Sequence, residues 1–210
     1  LYGSASGVSA SSVWYVTGCY ATGPGAGLGT SVAGAGDVNG DSYDDIVIGA
    51  PGADLNLVGT VGKAYVLYGS ATGLPLLPGF SNLGSVIYGT TIAGQHLYGT
   101  FGNSVAPAGD LNGDGYADVA IGAPYDDNYG TDAGMAFVFR GSAAGVDTAT
   151  ANLLWWESAA VANAKFGLTL TPAGDVNGDG RPDLLVGETS RVDLAQSAGS
   201  TLLIQQTLPY

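Results

Sequence analysis

The chain has one cysteine, one histidine and five basic residues among 210 positions, and each scarcity excludes something. Cys19 alone makes no intrachain disulfide, so bridges say nothing about redox compartment, and a small buried hydrophobe is the expected role for a lone thiol. Five lysines and arginines against 18 acids leave a net charge of −13. A nucleic-acid partner requires a basic stripe, and this chain has none; acidic membranes are disfavoured for the same reason. No run reaches the 18 or more apolar residues of a membrane helix, and no charged segment followed by an apolar one opens the chain. The first residue is Leu1 rather than Met, from which a processed product or a fragment is expected.

Catalytic material is equally sparse. His96 lies in GQHLYGT and is expected to be a turn histidine with local hydrogen bonds rather than a general base. The acid pairs Asp44–Asp45 and Asp126–Asp127 match the residue types of a glycosidase, but Asp45 is assigned below to metal and the second pair to a solvated loop. The chain is therefore read as non-enzymatic. Helical periodicity is missing too: no stretch of ten or more residues keeps a 3.6-residue apolar repeat, and residues 158–165 allow one helical turn at most.

What the chain does have is one pattern written three times: DVNGDSYDDIVIGAP at 37–51, DLNGDGYADVAIGAP at 110–124 and DVNGDGRPDLLVGET at 175–189. Carboxylates or an amide stand at loop positions 1, 3, 5 and 9. These are Asp37, Asn39, Asp41 and Asp45, then Asp110, Asn112, Asp114 and Asp118, then Asp175, Asn177, Asp179 and Asp183. Alternate residues of a tight loop converge their oxygens, and calcium takes six to eight such ligands at roughly 2.3–2.6 Å. Position 7 holds Tyr43, Tyr116 and Arg181, unrelated side chains, so the backbone carbonyl is the expected seventh-position ligand. An EF-hand needs a bidentate Glu at position 12, where this chain has Ile48, Ile121 and Val186. The ninth-position Asp is thus expected to close the shell, and the loop to open into a strand. Three calcium sites follow, which would bring the charge from −13 to −7. A plain Asp/Asn/Gly turn is the simpler alternative, but it does not require four acceptors at one spacing three times. A filled shell makes the loops structural and places any ligand elsewhere.

The repeat extends beyond the loop. Gly29, Gly102 and Gly167 precede the first Asp of each loop by eight residues and the strand glycines Gly49, Gly122 and Gly187 by 20. Around each loop lie four strand candidates. The first is built of small residues (TSVAGAGD, NSVAPAGD, LTLTPAGD), as suits crowding near an axis. The second is apolar on both faces (IVIGAP, VAIGAP, LLVGET), as suits a covered strand. Third strands are expected at 63–70, 135–142 and 200–207, and fourth strands at 85–90 and 152–158. Of the adjacent Trp155 and Trp156, one should face the core. Four-stranded antiparallel units repeated about an axis make a β-propeller blade, so the fold class is all-β.

With Phe101-Gly102 and Gly122-Ala123-Pro124, Phe166-Gly167, and Leu28-Gly29 with Gly49-Ala50-Pro51, the chain resembles the FG-GAP repeats of the integrin α-subunit β-propeller and of bacterial secreted proteins. The third copy departs with Gly187-Glu188-Thr189. Repeats are expected at 28–100, 101–165 and 166–210, the last without a fourth strand, after leading strands in 1–27. The resemblance implies an extracellular or cell-surface recognition and adhesion module. A structural subunit of a surface assembly and a glycan-binding or accessory domain are the alternatives, with Trp14, Trp155, Trp156 and the 125–129 loop as candidate contacts. Residues 1–4 resemble the end of a third strand and 11–18 a fourth. Three blades are too few for a ring, so closure by a second copy, or by more of a longer chain, is expected.

Overall fold

The computed structural model describes residues 2–4, 7–9, 25–53, 59–74, 89–193 and 196–204. A hairpin of β1 (Tyr2–Ser4) and β2 (Gly7–Ser9) comes first. The first blade is β3 (Ser31–Gly36), β4 (Asp45–Ala50), β5 (Lys63–Leu67) and β6 (Gly89–Ala93), hydrogen-bonded in that order. The second is β7 (Ser104–Gly109), β8 (Asp118–Ala123), β9 (Met135–Phe139) and β10 (Trp155–Ser158), again in chain order. The third has, among the described residues, three strands, β11 (Thr169–Gly174), β12 (Asp183–Asp193) and β13 (Gln196–Ile204). These strands pair antiparallel throughout. The expected all-β architecture of blade-like sheets is what the chain adopts.

Strands β3, β7 and β11 pack side by side, β3 against β7 and β7 against β11. This explains their small residues, because a bulky side chain would hold the blades apart. Each of the three is interrupted by a bulge at Gly34/Gly36, Pro107/Gly109 or Pro172/Gly174, just before the acidic loop. The second strands fill the interior: every residue of β8 is buried, as its two-faced apolar sequence requires. Between the first and second blades lie Val47, Val66, Phe101, Val105, Ile121 and Phe139; between the second and third lie Ala106, Ala120, Val138, Phe166, Leu184 and Val186.

The Phe-Gly pair is the joint between blades. Phe101 and Phe166, each 3–4% exposed, form isolated parallel bridges to Gly62 and Gly134 of the preceding blade. The following glycine then turns its carbonyl back: Ser31 Oγ donates to Gly102 O at 2.8 Å, and Ser104 Oγ to Gly167 O at 2.6 Å. Ser104 is itself 9% exposed. Ser104→Ala is expected to destabilise the chain by about 1 kcal/mol, and more if Gly167 O is left bare. An unchanged urea midpoint would show that this latch contributes nothing.

Several strand positions need correction. Of the expected fourth strand 85–90 in the first blade, residues 85–88 lie outside the described residues, while 89 and 90 belong to a strand that runs on to Ala93, with Ile92 at 2% exposure its buried apolar anchor after Thr90 and Thr91. In the second blade a 3₁₀ turn, Thr150–Asn152, takes the start of the expected 152–158 strand. Strand β13 starts at Gln196 because β12 runs on to Asp193 and the two form one long hairpin. Residues 1–4 contribute Tyr2–Ser4, which pairs with Gly7–Ser9. The strand expected at 11–18, with Trp14 and Cys19, lies outside the described residues.

Candidate metal centre

The acidic loops join the first two strands of each blade and fold identically. In the first, Asp37 Oδ1 accepts from the backbone N–H of Gly40 (2.7 Å) and Asp41 (3.0 Å), and Oδ2 from Ser42 (2.7 Å). Asp110 does the same with Gly113, Asp114 and Gly115, and Asp175 with Gly178, Asp179 and Gly180. The amide at position 3 accepts from the N–H of position 5 and donates to its carboxylate, as Asn112 does with Asp114 at 2.9 and 2.8 Å. Asn39 and Asn177 repeat this with Asp41 and Asp179. The tight turn needs left-handed backbone at position 4, where Gly40, Gly113 and Gly178 have φ of 74°, 74° and 76°. At position 6 Gly115 and Gly180 satisfy the same demand, whereas Ser42 meets it at φ 72° with a side chain.

The ninth-position acids occupy different ground. Asp45, Asp118 and Asp183 are 0%, 0% and 1% exposed. Asp118 Oδ2 accepts from Leu111 N and Oδ1 from Gly141 N, both at 3.0 Å, fastening the loop to the end of β9. Asp45 does the same with Val38 and Gly69. Asp183 accepts from Val176 N, and its Oδ1 has no partner among the described residues. Burial pushes the Asp118 carboxyl up to about 7 against the pull of its two backbone donors, and raises Asp45 likewise. The ion pair seen among the described residues is elsewhere, so no lysine or arginine offsets these buried carboxylates there.

Position 7 has a side-chain role that the sequence reading did not give it. A Cβ on Gly40 would come within 2.6 Å of the Tyr116 ring, and one on Gly113 within 2.9 Å of the Arg181 guanidinium. Arg181 Nη1 also donates to Leu111 O at 2.9 Å. Tyr and Arg are alike in being long and flat, so each lies over the glycine of the preceding loop. Tyr43, with no such neighbour among the described residues, is 42% exposed. Nothing in one copy of the repeat could reveal this, because the contact joins neighbouring copies.

The donor atoms at positions 1, 3, 5, 7 and 9 are all oxygens, which suits a hard divalent cation and not a soft one. Among the described residues no three Asp, Glu, His or Cys side chains gather about one point. The carboxylates at positions 1 and 5 face their own loop's N–H groups instead; the position-1 Oδ1 accepts two of them, while the position-1 Oδ2 accepts one and keeps a second lone pair.

Two other expectations change. His96 does not bond locally: its Nδ1 lies 2.6 Å from Asp126 Oδ2, 30 residues away. Asp126 is 3% exposed, so only Asp127 of that pair is a solvated acid. Of the tryptophans, Trp155 packs toward Phe166 and Trp156 is 45% exposed, one on each side as expected.

Three segments, 28–67, 101–139 and 166–201, match the family model of the FG-GAP repeat. The chain is 34% identical over 188 residues to integrin alpha-IIb of Homo sapiens, covering 82% of this chain and 16% of that protein. It is 35% identical over 158 residues to integrin alpha-V of Gallus gallus, 72% of this chain and 14% of the relative. It is also 37% identical over 152 residues to phosphatidylinositol-glycan-specific phospholipase D of Bos taurus, 72% and 17% respectively. The chain thus spans less than a fifth of the length of each of these relatives. Each matched segment opens on its Leu-Gly or Phe-Gly joint and carries an acidic loop between its first two strands, and on that evidence the chain belongs to the FG-GAP repeat family, its sheets being blades of the integrin-α-like β-propeller type.

Proposed function

We propose that the chain is a non-catalytic, calcium-binding recognition and adhesion module that works outside the cell. One cation sits in each loop, held by positions 1, 3, 5 and 9 and the carbonyl of Tyr43, Tyr116 or Arg181. The observation that carries this reading is the burial of Asp45, Asp118 and Asp183 without a basic side chain beside any of them among the described residues. A buried carboxylate is costly unless a cation compensates it, and the loop places further oxygens next to each one.

Integrin alpha subunits among the relatives support a recognition role, and so does the shortage of catalytic groups, since the sole histidine is committed to Asp126. The phospholipase likeness covers only 17% of that enzyme. The repeats are units 28–100, 101–165 and 166–210, and the ring is completed by a second copy or by further chain.

Calorimetric titration of metal-free protein with calcium is expected to count three sites. Asp114→Ala should leave two, because its ligands all belong to one loop. Three sites in that variant would refute the ligand assignment, and no calcium binding in the parent would refute the function.

A further inference from the structure

A cavity of about 260 Å³ opens at the seam of the first two blades. Its floor is apolar: the Phe101, Phe137 and Phe139 rings cluster with centroids 5.6–6.3 Å apart. At its lip Tyr129 stacks on Trp156, centroids 5.6 Å apart and planes 21° from parallel. Both lip rings are nearly half exposed, at 44% and 45%, although two stacked aromatics would ordinarily be drawn into a core. The lip loop leaves the end of β8 while the acidic loop enters its start, so the cavity is a separate feature that does not depend on the proposed calcium sites.

The polar rim narrows the ligand class. Gln95 and Asn128 are exposed amides, each able to donate and accept. Asp126, buried behind the rim, holds both His96 and the lip: one oxygen takes His96 Nδ1 and the other accepts Asn128 N at 3.0 Å. His96 Nδ1 is taken up by Asp126, which leaves the Nε2 edge of a ring 37% exposed as the polar atom facing a ligand. Groups that donate and accept together match hydroxyls. No lysine or arginine lines the cavity among the described residues, and the Asp126 carboxyl lies behind His96. The volume lies just under the roughly 300 Å³ lower end of drug-sized pockets, which suits a single ring. A C–H face against stacked aromatics, hydroxyls toward amides and an imidazole edge, and no lysine or arginine among the described lining residues together describe a neutral sugar.

We propose that this cavity binds one neutral pyranose ring of a glycan, with its apolar face on Trp156 and Tyr129 and its hydroxyls on Gln95, Asn128 and His96. The test is saturation-transfer NMR on the intact chain with the methyl glycosides of glucose, galactose, mannose and N-acetylglucosamine. At least one should bind. Trp156→Ala and Tyr129→Ala should each weaken it about tenfold or more, with circular dichroism confirming the fold. Gln95→Ala, which alters only an exposed rim position, should weaken it several-fold and serves if the aromatic variants misfold. No transfer to any glycoside up to about 20 mM, or affinity unchanged in the folded variants, would overturn the proposal. Binding of N-acetyltyrosinamide in place of every glycoside would also overturn it and make the cavity a peptide side-chain site.

Discussion

Excess chelator is expected to lower the midpoint of thermal unfolding by roughly 20 °C. Each loop carries carboxylates at positions 1, 5 and 9, and the ninth-position acid of each is buried. A ligand that binds only the folded chain stabilises it by about 2.7 kcal/mol per site when present at 100 times its dissociation constant, so three sites supply about 8 kcal/mol. At this size each kcal/mol moves the midpoint by about 2–4 °C. The effect should saturate with calcium and be reversed by adding it back. A calorimetric scan that moves by less than about 2 °C on chelation would show that cations do not hold these loops, whatever the titration counts.

Gly122→Ala should be among the most damaging single methyls in the described residues, costing about 3 kcal/mol or more. A Cβ there would fall well inside contact distance of Gly167 O and within 3.0 Å of its carbonyl carbon. That carbonyl cannot retreat, because Ser104 Oγ donates to it and Gly167 N is bonded to Gly187 O at 3.1 Å. Gly49 faces Gly102 O in the same way one blade earlier. The control is Gly34→Ala in β3, where a Cβ meets nothing within 4 Å among the described residues. There the gain in chain stiffness should make the change neutral or stabilising by about 0.5 kcal/mol. Equal denaturation midpoints for Gly122→Ala and Gly34→Ala would refute the account of the blade joint.

Sequence alone determined the features that depend on neighbours along the chain. Acceptors at every second position give the loop, an apolar run after it gives a covered strand, and the fixed offsets of the Phe-Gly and strand glycines give a repeated all-β unit. These are local properties, set by backbone periodicity and turn chemistry. Tertiary structure decided whatever depends on residues far apart. The fourth strand of the first blade runs past Thr90 to Ala93 because β5 holds it there, and it buries only Ile92, so its own apolar pattern is faint. The purpose of Gly122 is invisible without Gly167, and that of Arg181 without Leu111, 70 residues away. Asp126 looked solvated because a loop composition does not reveal that His96 of the neighbouring blade will seal it. Repetition fixed what each blade is; packing of one blade on the next fixed what its odd residues are for, because those contacts exist only between copies.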